Sequence, residues 1–300
     1  MQKFISTSRI LLDFNKPLPV ENISIVQQPL SFPATVITKL SDHWTQQLKD
    51  KQSALRNARI ESVIGLEPEN IANELLHTLF INGKPVMWPG NAVTLRDVKM
   101  EYEKVLMTVS EIPYPFIAAL NNAAFKKNTG LHSLQLRPPL AICTFVITSD
   151  NQLVLTVRGE KTYVYPGRFY GVGGNPANIQ FNIVQHQLEE IADELLVQPE
   201  EVDATTFRFY GLVEDLELFP GKPDLAGIAR IKLSSEELAE RFETRPSSQR
   251  PPDVAALKMV PFNNSSLQNF LEHDNKLADF CPPAHGGLLL LKKMEFGGDG

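Results

Sequence analysis

Cysteine is scarce in this 300-residue chain, which has only Cys143 and Cys281, so no disulfide framework holds it together. Cys281 and His285 have a spacing that a metal site can use, but no second pair accompanies them. A structural zinc site wants four ligands, so Cys281 reads as packing. Long apolar runs are missing as well. Leu288 to Leu291 falls far short of the roughly 18 residues that a membrane-spanning helix needs. Met1 to Phe14 has neither the basic start nor the apolar stretch of a signal peptide, which places the chain in the cytoplasm and off the membrane. Positive charge is in deficit: 29 Lys and Arg face 35 Asp and Glu, a net charge of −6. That balance argues against a broad basic face for nucleic acid. Several ligand-binding signatures are also absent. No GxxxxGK[ST] loop and no GxSxG elbow occurs, and Gly171-x-Gly173 meets Pro176 where GxGxxG wants its third glycine.

What is present fits a soluble globular protein, with 43% hydrophobic and 21% charged residues and length enough for one or two cores. The first 135 residues mix short strands and helices. Ile23 to Gln27 and Arg59 to Ile64 read as strands, and Ser41 caps a helix running to about Lys51. Lys84 to Gly90 reads as a loop, and Glu101 to Met107 and Phe116 to Phe125 as helices. Two prolines between Leu134 and Pro139 mark a boundary. The expected units are therefore an N-terminal α+β domain over 1–135 and a second domain over 136–295.

Beyond the boundary, Leu140 to Thr148 is an apolar strand, Ser149-Asp150-Asn151 a turn, and Leu153 to Val157 the returning strand of a hairpin. Arg168 to Val172 reads as a third strand, followed by a helix from about Gln180 to Leu196. Strands at Phe207 to Leu218 and Leu225 to Leu233 come next, then a helix at Ser235 to Arg241 and a strand near Leu257 to Val260. Helices from Ser265 and near Gly287 to Lys293 close the pattern. The alternation predicts an α/β fold, an α/β/α sandwich on a mixed sheet.

The chemistry concentrates at Gly171 to Gly174 and the acidic helix after it. At about 100° per residue, Val184, Leu188, Ile191 and Leu195 form one stripe facing the core. Glu189, Glu190 and Asp193 fall on the opposite side and Glu194 on its flank. Glu190 and Glu194 are four apart, and like charges at that spacing cost roughly a few tenths of a kcal/mol per pair. A hard divalent cation removes this repulsion, and Mg²⁺ favours carboxylate oxygens together with phosphate. A plain solvated acidic face would carry the same charges. The glycines, placed between a strand and the helix, let backbone approach a ligand closely.

Pro166-Gly167-Arg168-Phe169-Tyr170-Gly171-Val172-Gly173-Gly174, followed by Glu189-Glu190-Ile191-Ala192-Asp193-Glu194, resembles the Nudix box, a double-glycine loop leading into a carboxylate-rich helix. The resemblance spans roughly residues 140 to 292. Gln180 stands near the place of the family's first glutamate, Glu189 in place of its arginine, and Leu196 in place of a late glycine. The resemblance implies Mg²⁺, or Mn²⁺, held by Glu190 and Glu194, with Asp193 adding charge. It implies a hydrolase of small nucleoside diphosphate conjugates in which Gly173 and Gly174 approach the substrate.

Length, N-terminal extension and altered box are most similar to the branch that cleaves UDP-glucose and UDP-galactose to UMP and sugar 1-phosphate. ADP-ribose, NADH or coenzyme A as substrate, or a binding module without turnover, are the alternatives. Arg158, at the exit of the hairpin, is placed to meet a diphosphate or is a surface arginine. Lys222 and Asp224 border a sugar pocket or are turn residues. Tyr170 and Phe169 alternate on their strand, so one of them can face the pocket and stack a base. Glu214 and Asp215 are further candidates for a general base, and His186 reads as solvated.

Overall fold

The computed structural model describes residues 4–5, 7–28, 80–81, 84–85, 91–113, 138–160, 162, 165–218, 220–246 and 249–297. The expectations at Ser41 to Lys51, Arg59 to Ile64 and Phe116 to Phe125 lie outside these residues.

The N-terminal strands are β1 (Phe4–Ile5), β2 (Ser8–Pro19) and β3 (Ile23–Gln27). After them come β4 (Phe80–Ile81), β5 (Lys84–Pro85), β6 (Asn91–Glu101) and β7 (Lys104–Pro113). The helix expected over Glu101 to Met107 is instead the turn of the β6–β7 hairpin. Tyr102 takes a left-handed φ of 56° there, and Glu101 pairs with Lys104. The reason is a period of two: Val105, Met107 and Val109 are buried with half-buried Leu106 and Thr108 between them, which suits a strand with one face in the core. Lys84–Pro85, expected within a loop, pairs with Phe80–Ile81.

The rest of the chain follows the expected order. β8 (Ala141–Ile147) and β9 (Gln152–Arg158) are joined by the turn at 149–151, and β10 (Phe169–Tyr170) precedes helix α1 (Ile183–Leu195). β11 (Val202–Asp215), β12 (Lys222–Ile231), α2 (Ser235–Thr244), β13 (Val254–Pro261), α3 (Asn264–Asn269) and α4 (Pro282–Phe296) complete it. α4 begins five residues before the expected start. Prolines at its first two positions fit a helical first turn, where a missing N–H leaves nothing unbonded, and Gly286 and Gly287 lie inside the helix against Val213 and Phe145.

The main sheet runs β1-β2-β11-β12-β8-β9-β10, with β13 also on β9. Its β8–β12 pair is parallel and the others antiparallel, so the sheet is mixed. Alternation along β8 fills two layers. Ile142 and Val146 point into a core shared with Ile183, Ile191 and Leu195 of α1, while Cys143, Phe145 and Ile147 join Ala284, Leu288 and Leu291 of α4. The result is an α/β fold with helices on both faces of a mixed sheet.

Strands from either side of residue 135 pack together. β2 pairs with β11 from Ser8 against Asp215 to Pro19 against Arg208, inside the main sheet. The smaller sheet β3-β7-β6 sends Val93, Leu95, Val105 and Met107 into the core that α1 covers. Among the described residues no helix is long and apolar enough to cross a membrane.

One irregularity of the sheet positions the site. β8 and β9 pair only at Val146–Val154 and Ile147–Leu153, then diverge. Residues 172–174 run along β8 within this opening: Thr144 and Val172 exchange N–H···O bonds of 2.7 and 2.9 Å, and Ile142 N–H donates to the Gly174 carbonyl at 3.0 Å.

Candidate active site

α1 starts at Asn182, whose side chain accepts from the Gln185 N–H at 3.0 Å. It stops at Leu196, which takes the left-handed φ of 58° that ends many helices. The buried stripe is Ile183, Gln187, Ile191 and Leu195, with Val184 and Leu188 half-buried beside it. Gln187 is the polar member, and Thr144 Oγ1 donates to its carbonyl oxygen at 2.6 Å. Centring the stripe here moves Glu190 and Glu194 off the solvent face and onto the margin of the core. Glu189 and Asp193 keep the exposed side.

Both marginal carboxylates press against the glycine segment. Gly173 N–H donates to Glu194 Oε1 at 3.3 Å. A Cβ on Gly174 would lie 2.7 Å from Glu190 Oε1. A Cβ on Gly173, whose φ is +146°, would lie 1.9 Å from the Ile142 carbonyl oxygen. Glycine at these two positions is therefore what lets the chain lie between β8 and α1.

Burial is the largest influence on both acids. It pushes Glu190 up to about 7, helped by the negative charges of Asp193, Asp253 and Glu189. Glu194 is pushed up to about 8 by burial and then by the charge of Glu190, with the Gly173 N–H and Arg158 offsetting part of the rise. His186 is drawn in as well. Its side chain is only 14% exposed, so the solvated histidine expected there is instead packed one turn before Glu190.

Arg158 ends β9 and adds positive charge at Glu194, and its guanidinium stands 5.5 Å from the centre of the Tyr170 ring. Tyr170 is buried, so the base stacking considered for it does not fit. Its hydroxyl instead donates to Asp224 Oδ1 at 2.7 Å. Phe169 packs against Phe270 and Phe280. Lys222 Nζ lies 3.1 Å from Asp224 Oδ2, and Asp224 is 1% exposed, so Tyr170, Lys222 and Asp224 form one buried polar cluster rather than a solvated turn.

Glu214 pairs with Arg9. Asp215 accepts from Tyr165 Oη at 2.7 Å and from the Glu217 N–H at 2.8 Å. These contacts hold both carboxylates within the fold.

No group of three or more His, Cys, Asp or Glu side chains is arranged as a metal cage among the described residues. The donor set nonetheless suits a hard cation of the Mg²⁺ kind. Such an ion takes one or two carboxylates from protein and completes its shell with water and phosphate oxygen. Two half-buried carboxylates whose proton affinity is raised by burial and by neighbouring acids are what a divalent charge would stabilise.

A search of protein-family models finds no match for the chain, and neither does a search of curated proteins. Among solved structures, a protein from Deinococcus radiodurans is 14% identical over 51% of this chain and 81% of that one, with a TM-score of 0.33. A bifunctional NMN adenylyltransferase/ADP ribose pyrophosphatase from Francisella tularensis is 10% identical over 59% and 50%, with a TM-score of 0.34. A MutT protein from Methanosarcina mazei Go1 is 9% identical over 50% and 89%, with a TM-score of 0.30. At these values the likeness assigns neither family nor activity.

Sequence reasoning missed two residues of this site and misplaced a third. Gln187 was signalled by a polar side chain at a core-facing position. His186 needed the true seat of the helix. Asp253 follows Pro251-Pro252 and has no local signal at all; its charge reaches both glutamates only because Val254 pairs with Arg158 across β13 and β9.

Proposed function

We propose that this chain is a Nudix-type hydrolase that cleaves a nucleoside diphosphate conjugate with the help of a divalent cation. The observation that carries the reading is the placement of Glu190 and Glu194, on the margin of α1, directly against the Gly173–Gly174 backbone. Glu190 and Glu194 would hold the cation. When bound, Mg²⁺ or Mn²⁺ supplies charge to offset the diphosphate and lowers the proton affinity of water. Asp193 and Asp253 add negative field that favours the cation's residence. Arg158 stands at the end of β9 nearest Glu194, placed to meet the diphosphate's remaining charge. Water adds to one phosphorus while the bond from that phosphorus to the bridging oxygen breaks. The products are a nucleoside monophosphate and the phosphorylated partner group.

For the substrate we propose UDP-glucose and UDP-galactose, giving UMP and the sugar 1-phosphate. Chain length, the N-terminal residues and Glu189 in the arginine position support this. Arg158, which stands over the Tyr170 ring, lies between the Glu190–Glu194 pair and the Tyr170–Asp224–Lys222 cluster that would back the pocket. Hydrogen-bonding groups fitted to a uracil edge stay unpaired when a purine is offered, which discriminates by orders of magnitude.

One assay tests the reading. UDP-glucose, UDP-galactose, ADP-ribose and coenzyme A are offered with Mg²⁺ in ¹⁸O-water to the wild type and to Glu194→Gln. The expected result is UDP-sugar cleavage that EDTA abolishes and Glu194→Gln reduces by at least about a hundredfold, with label in one product only. ADP-ribose cleaved as fast as UDP-glucose removes the UDP-sugar claim alone. Full activity in EDTA or in Glu194→Gln removes the cation-dependent, Nudix-type reading, and binding without turnover makes the chain a nucleotide-sugar binding module.

A further inference from the structure

We infer that Tyr170 is a positioning residue whose ring, fixed from behind by Asp224 and Lys222, holds the Arg158 guanidinium beside the Glu190–Glu194 site; this rests on the role given to Arg158 above. The Arg158 backbone is fixed on both sides of its strand. Its N–H donates to the Arg168 carbonyl at 3.0 Å, its carbonyl accepts from the Gly167 N–H at 2.9 Å, and Val254 of β13 pairs with it from the other side. What remains to be set is the direction of a long, half-buried side chain. The guanidinium stands over the Tyr170 ring, 5.5 Å from its centre, and its charge is felt at Glu194.

Tyr170 is itself held at both ends. Thr156 Oγ1 donates to its carbonyl at 3.3 Å and to that of Gly171 at 3.0 Å. Its hydroxyl donates to Asp224 Oδ1 at 2.7 Å, and Lys222 Nζ donates to both oxygens of the same carboxylate, at 3.3 and 3.1 Å. Tyr170 and Asp224 are both buried. Taking two charges out of water can cost more than their attraction returns, and an apolar replacement of similar volume is often as stable. The use that the geometry gives this ion pair is therefore to fix the ring. It has an electronic effect as well. A phenol that donates to a carboxylate has a more electron-rich ring, and a cation over the face is drawn to it by that density.

The run from Lys222 through Asp224 and Tyr170 to Arg158 joins the two sides of the sheet. Tyr170 belongs to the core beneath α4, whereas Glu194 lies on α1. Arg158 ends β9 beyond the point where β8 and β9 part, so its side chain serves both. Loss of the ring widens the directions open to the guanidinium, and a binding group slightly out of place costs rate.

Two measurements test this, one of them without turnover. In protein labelled with ¹⁵N-arginine, the Arg158 Nε–H resonance is assigned by its loss in Arg158→Gln. It is expected upfield of the ordinary arginine range, because the ring face shields it. Tyr170→Phe is expected to keep that shift and Tyr170→Leu to abolish it. The second measurement is kcat/KM for UDP-glucose, or for the best-cleaved conjugate of the panel above. Tyr170→Leu is expected to lower it about tenfold in the wild-type background, and Tyr170→Phe by under about threefold. When Arg158 is already Gln, Tyr170→Leu is expected to cost less than about twofold, since the two residues act as one. Melting checks that each variant folds, and the wild-type resonance decides the matter if Tyr170→Leu does not. An unshifted wild-type resonance, a shift kept in Tyr170→Leu, a Tyr170→Phe no better than Tyr170→Leu, or equal losses in both backgrounds overturns the inference and leaves the hydrolase reading standing. A wild type that cleaves no conjugate overturns the hydrolase reading, and the resonance alone then decides whether Tyr170 holds Arg158.

Discussion

At the scale of single residues, the site is decided by side chains that are missing. Gly173→Ala asks a non-glycine residue to hold φ +146° and places a Cβ 1.9 Å from a backbone oxygen. The backbone conformation alone costs about 1–3 kcal/mol, and the clash adds to it, so this variant is expected to melt well below the wild type. Gly174→Ala meets only the end of the Glu190 side chain, which can rotate away. Its melting temperature should change little while its Mn²⁺ affinity falls about tenfold or more, as measured by calorimetric titration. Equal loss of stability in the two variants would show that Gly174 serves packing rather than the position of Glu190. This contrast also shows what the sequence made legible. The double glycine and the four-residue spacing of Glu190 and Glu194 were readable because each is a local pattern. The packing of His186 and the field of Asp253 were not, because they depend on where α1 seats and on which strands adjoin.

At the scale of elements, helices could be read where one face is buried and the other wet, as in α1 and α2, and β8 because its nearly unbroken apolar run is buried on both faces. Reading failed at Glu101 to Met107, where charged residues at the hairpin turn imitate the spacing of a helix and the register with β6 decides the outcome. It also failed at β2, which pairs with a strand some two hundred residues away and carries no local mark of that partner. One junction between elements makes a pH prediction. Asp150, in the β8–β9 turn, accepts from the Ser235 N–H at 2.8 Å and from the hydroxyls of Ser235 and Thr148 at 2.6 Å each, tying the turn to the start of α2. These bonds, led by the Ser235 hydroxyl, hold its carboxyl down at about 2, below the usual 3.8. A carboxylate whose folded pKa is depressed contributes stability above its unfolded pKa and loses it as pH falls. The window here is therefore from about pH 4 down to about pH 2. Asp150→Asn should be less stable than wild type at pH 7, by under about 1 kcal/mol because solvent screens so exposed a group. The gap should close by pH 2. A gap that persists at pH 2 would mean the ionised form is not what ties the turn.

At the scale of the whole molecule, the question is whether the region around the site can fold without the first 135 residues. β2 occupies the outer edge of β11 along most of its length and inserts Phe14 and Leu18, both fully buried, into the core beneath α1. Val105, Met107 and Val109 of β7 are fully buried in the same core. Burying each such side chain contributes about 1.5–3 kcal/mol, so losing five of them removes roughly 7–15 kcal/mol. That is the size of a whole domain's stability, about 5–15 kcal/mol. Removal would also leave the hydrogen-bonding edge of β11 bare, a template for association with other chains. The contact reaches the site directly, since Val93 N–H bonds to the Pro176 carbonyl at 3.2 Å, two residues past Gly174. A fragment of residues 136–297 is therefore expected to show no cooperative thermal transition and to associate in solution. The full chain, by contrast, should melt in one step that Mn²⁺ raises. A fragment that stays monomeric and melts within a few degrees of the full chain would show the N-terminal residues to be an independent unit, and their strands in the shared core dispensable.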